Sequence, residues 1–202
     1  MYELNSMDKI NKDWEKFLSS KKLKDNLISI SLFLTAFEMF KERVSELPEV
    51  FFINGFNEKG EFIIDKRYRN DVLSKNKSKI YASLLWLKEL SAIEQADIND
   101  FDEIRQHRNE LAHKPFAFIT DSDKNIDLDK FVCLINLLCK IEKWWFVNFE
   151  YPLSVDDYGD HPIDFDEVMT PSQWQLKLLL DIALGNEPEE NFYLDSIVNR
   201  NI

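Results

Sequence analysis

A chain of 202 residues, 45% of them hydrophobic, carries enough apolar side chain to bury a core without covalent staples. Its two cysteines, Cys133 and Cys139, share one apolar segment at a spacing that fits neither a loop-closing disulfide nor a zinc site. No basic start leads into an apolar leader and no run approaches about 18 uninterrupted apolar residues, which argues against export and against membrane spanning; a cytoplasmic protein with no membrane partner is expected.

The net charge of −12 argues against nucleic-acid binding, because affinity for a polyanion comes largely from Lys and Arg. The average hides an asymmetry. Residues 121–202 hold 17 acidic and 6 basic residues, whereas the first 120 hold 20 and 19. The N-terminal part is therefore close to neutral and has basic clusters at Lys21, Lys22 and Lys24 and from Lys66 to Lys79. The second cluster reads first as a solvated surface, although beside a cleft it would guide RNA. The acidic C-terminal part reads as a solubility or partner-facing surface.

Four glycines and six prolines supply few turns, which suits long helices. Asp8 to Leu18 has Ile10, Trp14, Phe17 and Leu18 at helical spacing. From Asp25 to Leu47, Ile30, Phe33, Leu34, Phe37, Phe40, Val44 and Leu47 mark a helix with one buried face, which Pro48 should close. Glu49 to Tyr68 holds two apolar runs around Asn57-Glu58-Lys59-Gly60, a hairpin signal with glycine supplying positive φ. A helix from about Ser78 to Ile93 comes next, then another from Asn99 to His113 with Asn99 and Asp100 as capping candidates. A polar loop, Lys114 to Asn125, leads to the longest expected helix, Asp127 to Glu150. An irregular acidic loop, Tyr151 to Met169, precedes a helix opened by Thr170-Pro171-Ser172 and stopped by Gly185, and the tail beyond should be loosely held.

The helix ending at His113 carries the chemistry. At about 100° per residue, Phe101, Ile104, Arg105, Arg108, Leu111 and Ala112 fall within one arc, so two arginines face the apolar side. An unpaired buried guanidinium is prohibitive, so that arc must meet an internal carboxylate or a partly wet groove or interface. Pro115 disfavours helix at Lys114, which ends the helix at His113 and lets the imidazole turn into the loop. His107 lies off the arc and is expected in solvent.

Arg108-Asn109-Glu110-Leu111-Ala112-His113 resembles the R-x4-H motif of HEPN-superfamily domains: an arginine, a polar residue after it and a histidine five positions on, ahead of a long helix. The resemblance implies an all-α, up-down antiparallel helical bundle, here over residues 1–150 with a β-hairpin insert at about 49–68. Residues 151–202 would add an acidic loop and a C-terminal helix packed on the bundle. It also implies a homodimer in which two motifs face a shared cleft, and a metal-independent endoribonuclease of bacterial defence or a toxin–antitoxin system. Carried over by position, Arg108 would stabilise the phosphate, His113 would act as general acid or base, and Asn109 would orient the motif or touch substrate. These residue types suit cleavage of RNA through its 2′-hydroxyl, which needs a proton carrier near neutral pH and a cation at the phosphorane. Arg105 and Lys114 are added as phosphate contacts from position alone. No metal and no cofactor is expected. The tyrosine that some such toxins carry two positions after the histidine is replaced by Pro115.

Blander readings stand beside these. The arginines would be salt-bridged to a neighbouring helix, His113 would cap its helix, and Trp144-Trp145-Phe146 would be core or dimer interface rather than a base-stacking surface. Asp157, Asp160, His161, Asp164 and Asp166 invite a metal reading, but their spacing fits no calcium loop. A non-catalytic HEPN-like module that binds a partner or nucleotide is the alternative function. Possible partner classes are RNA, a second copy, and an antitoxin or defence protein; a weaker reading makes this chain itself an antitoxin-like acidic partner.

Overall fold

Few helix breakers favour helices, and the computed structural model, which describes residues 2–153, 164 and 167–198, is mostly helical there with one small antiparallel sheet. In chain order the elements are α1 (Tyr2–Leu18), α2 (Ser20–Phe51), β1 (Ile53–Phe56), β2 (Phe62–Ile64), α3 (Lys79–Glu89), α4 (Gln95–His113), α5 (Pro115–Thr120), α6 (Leu128–Trp145), α7 (Pro171–Leu184) and α8 (Phe192–Val198). None is long and apolar enough to cross a membrane.

The longest helix is α2, at 32 residues, and not the segment from Asp127. Its expected stripe is buried apart from Leu34, which is half-buried: Phe33, Phe40, Val44 and Leu47 are at most 1% exposed. Pro48 does not close the helix. It sits, buried, in the last turn, where loss of one amide hydrogen bond and packing of the ring are tolerated, and the chain leaves the helix only at Phe52, whose N–H reaches Pro48 O (3.3 Å) and Glu49 O (3.2 Å). The hairpin forms as read, with Phe56 opposite Phe62, Gly60 at φ +79° and Asn57 Oδ1 accepting from the amides of Lys59 and Glu61.

Helix α2 packs against α3, α4, α5, α6 and α7, so the core lies along it. At its centre Phe101 of α4 meets Phe37 (5.7 Å between ring centroids), Phe40 (5.2 Å) and Tyr81 of α3 (5.6 Å). The aromatic run at the end of α6 also turns inward, with Trp145 against Phe51 and Phe149, beyond which the helix loosens into a π turn at Phe146–Glu150. Thr170 and Gln173 form a reciprocal capping box that starts α7, and Gly185 at φ +69° ends it. Leu176 and Ser172 then seat α7 on the core, Ser172 Oγ donating to the buried carboxylate of Glu142 (2.7 Å). The tail is more structured than expected: α8 is tied back by Tyr193 Oη, which donates to Asp181 (2.7 Å).

Two boundaries differ from the sequence reading around α4. It starts at Gln95, where Glu94 and Asp97 form a capping box, so Asn99 and Asp100 are interior residues rather than caps. The segment read as a loop after His113 contains α5, because Phe118 and Ile119 find core positions and Pro115 is pre-set for a helix's first turn. Lys16 of α1 fixes the turn that follows α5, donating to the carbonyl oxygens of Asp121 (2.9 Å) and Lys124.

Candidate functional site

Helix α4 ends at His113, with Lys114 off the helix at φ −133° and its amide bonded to Glu110 O (2.9 Å). The Lys-Pro pair therefore acts as the stop that the sequence suggested. His113 and Lys114 are exposed in the joint between α4 and α5, at the C-terminal end of α4.

Arg108, one and a half turns back, is 28% exposed and held on three sides. Its Nη2 donates to Glu38 Oε1 of α2 (2.5 Å), its Nη1 donates to Asn109 Oδ1 (3.2 Å), and its guanidinium lies over the Phe37 ring (5.2 Å). Nε is buried with no hydrogen-bond partner among the described residues. Glu38 is itself 45% exposed and shared with Lys41 (2.6 Å); that ammonium first, and Arg108 after it, hold the carboxyl below the usual glutamate range. The arginine thus meets an internal carboxylate while remaining partly exposed. Asn109 is adjacent and half-buried, its side-chain oxygen turned to the guanidinium.

Arg105 belongs to a different cluster. It lies over the Tyr81 ring (5.2 Å) and 4.0 Å from Asp102, to which Tyr81 Oη also donates. Burial and the Asp102 carboxylate push the Tyr81 pKa up to about 12, so the phenol is a fixed neutral donor. The predicted arc is narrower than drawn: Phe101, Ile104 and Leu111 are buried, whereas Arg105 and Ala112 are exposed at its edge. Within one chain no hydrogen bond or ion pair joins His113 to Arg108, nor Lys114 or Arg105 to either.

His107 corrects the sequence reading. Instead of facing solvent it packs edge-on to Phe33 (5.2 Å) and Phe118 (5.8 Å), and Nε2 accepts the amide of Asp127 (3.0 Å) at the start of α6. Burial lowers its pKa, opposed by the carboxylates of Asp127 and Glu110. The histidine is a neutral strut between α4 and α6. The helix wheel missed it because α5, unforeseen, covers that flank.

Sequence reasoning also missed Glu38, Phe37 and Lys41. Glu38 is 70 residues from Arg108, and no local pattern links them. A groove of about 500 Å³ runs from Glu38 and Lys41 to Ser78 and Lys79, connecting the arginine's partner with the end of the basic segment. A second, more apolar groove of about 420 Å³ lies between α1 and α5, lined by Ile10, Trp14, Phe17 and Phe116. Among the described residues no group of three or more His, Cys, Asp or Glu is placed to hold a metal ion; Asp157, Asp160, His161 and Asp166 lie outside them. In comparisons with known proteins, no protein-family model, no curated protein and no solved structure matches this chain.

Proposed function

We propose that this chain is a HEPN-like endoribonuclease that works as a homodimer, in bacterial defence or a toxin–antitoxin system. The observation that carries the reading is that the last turns of one helix carry both a constrained, part-exposed guanidinium at Arg108 and a solvent-exposed imidazole at His113. In this reading the ribose 2′-hydroxyl loses its proton to a histidine and attacks the adjacent phosphorus. The bond from phosphorus to the 5′-oxygen breaks, the leaving oxygen takes a proton from an imidazolium, and a 2′,3′-cyclic phosphate remains. Two histidines, one from each subunit, serve as base and acid. Arg108 neutralises the phosphorane, its planar fork being suited to two phosphate oxygens, and Asn109 holds that fork in place. Arg105 and Lys114 would bind flanking phosphates. No step draws on a metal.

The apolar groove between α1 and α5 supports the dimer, since Phe116, 66% exposed, lies three residues beyond His113, and Trp14, 56% exposed, lines the same groove. The test is RNA cleavage in EDTA. Arg108→Ala and His113→Ala should each reduce cleavage at least ~100-fold with unchanged circular dichroism, and retained activity in both variants rejects the reading. The Arg108–Glu38 pair favours a second reading, a non-catalytic HEPN-like dimer that binds nucleotide or a partner. That reading predicts no cleavage by the parent protein and altered ligand affinity in the same variants.

A further inference from the structure

The β1–β2 hairpin leaves two phenylalanines in water. Phe56 and Phe62 are 67% and 62% exposed, stand directly opposite each other across the strands, and hold their rings 5.2 Å apart at 36°. Opposed residues of an antiparallel pair project from the same face, so the rings form one aromatic platform. Neither ring contributes to the core, which the hairpin reaches instead through Phe52 and Tyr68 at its base.

The segment that carries this platform has a charge balance opposite to that of the chain as a whole. Between Ile53 and Lys79 there are seven basic and four acidic residues in a protein of net charge −12. Three of the bases are engaged, Arg67 with Asp65, Lys75 with Glu89 and Lys79 with Glu49. Lys59, Lys66, Arg69 and Lys77 are exposed and make no ion pair with any described residue. Lys79, at the far end of the segment, lines the groove that continues to Lys41 and Glu38, the partner of Arg108.

Exposed aromatic faces and unpaired cations on one segment are what an unpaired polynucleotide needs: every base presents a π face, and every phosphate a charge. A duplex, its bases already stacked, could use only the cations. We propose that the hairpin is a stacking platform for single-stranded RNA, with Phe56 and Phe62 taking bases and Lys59, Lys66, Arg69 and Lys77 taking backbone phosphates. It rests on the reading of this chain as an RNA-cleaving protein and adds the class of RNA: unpaired segments, gripped away from the scissile bond.

The test is fluorescence anisotropy with a labelled 12-nucleotide oligouridylate on full-length protein carrying His113→Ala, so that binding is read without cleavage. Phe56→Ala and Phe62→Ala should each weaken binding about 10-fold, Phe62→Tyr should restore it, and Phe62→Leu, apolar but without a π face, should not. Lys66→Glu with Arg69→Glu should weaken binding and flatten its salt dependence. A hairpin that merely stabilises itself through the ring pair would bind equally well with Leu as with Phe, which overturns the proposal. So does a parent protein that fails to bind the oligomer, or that binds a duplex of equal length as tightly. Failure of the nuclease reading is distinguishable, because cleavage would then be absent in the protein with His113 intact while hairpin-dependent binding persisted.

Discussion

Arg108 of α4 and Glu38 of α2 meet at 2.5 Å across the helix interface, with Lys41 on the other side of the carboxylate and the Phe37 ring beneath the guanidinium. The arginine is thus oriented before any ligand arrives, and an anion bound there competes with Glu38. Glu38→Gln removes that competitor while keeping an oxygen acceptor. RNA affinity of the His113→Ala protein should rise about 3- to 10-fold, corresponding to roughly 1 kcal/mol. A fall in affinity, measured by anisotropy, would mean that the carboxylate charge chiefly positions the guanidinium.

A second arginine–carboxylate pair has a structural role. Glu142 of α6 is 3% exposed, and its Oε1 accepts from Arg43 Nε (2.9 Å) and Ser172 Oγ (2.7 Å), which ties α2, α6 and α7 together while Oε2 is buried with no partner among the described residues. Arg43→Ala strands this charge and should cost about 3 kcal/mol. The melting temperature should fall by roughly 6–12 °C. Adding Glu142→Gln to Arg43→Met should recover most of the loss, since the buried charge is then gone and Ser172 keeps an acceptor. Calorimetry of the three proteins checks the order.

His107 gives the fold a pH dependence of known sign. Its folded pKa lies below the ordinary histidine value because the ring is buried and Nε2 accepts the Asp127 amide. The unfolded chain therefore binds the proton more readily, and stability present above about pH 6.5 is lost as pH falls through the folded value. Melting temperature should drop between pH 7 and pH 5.5, and His107→Gln, which retains an acceptor, should flatten that slope. The lowered carboxylates, Asp127 and Glu38 among them, lose their contribution only in more acidic solution. An equally steep slope in the variant would assign the effect elsewhere.

Local patterns by themselves determined a good deal of this protein. Apolar residues at helical spacing marked the face of α2, Asn57 to Gly60 marked the hairpin turn, Thr170 and Gly185 bounded α7, and Pro115 ended α4 at His113. Each of these depends on interactions a few residues apart, which the order of amino acids states directly. What only the tertiary structure decided are matters of long-range contact. Pro48 stays helical because its ring is packed, and α5 forms because Phe118 and Ile119 meet a core. His107 is drawn inward by Asp127 and two phenylalanines, and Arg108 finds a carboxylate 70 residues away while Arg105, three positions earlier on the same helix, is drawn to α3 instead. A helical wheel gives the direction of a side chain but not the identity of the helix it faces, and it is that neighbour which makes a charge buried, paired or free.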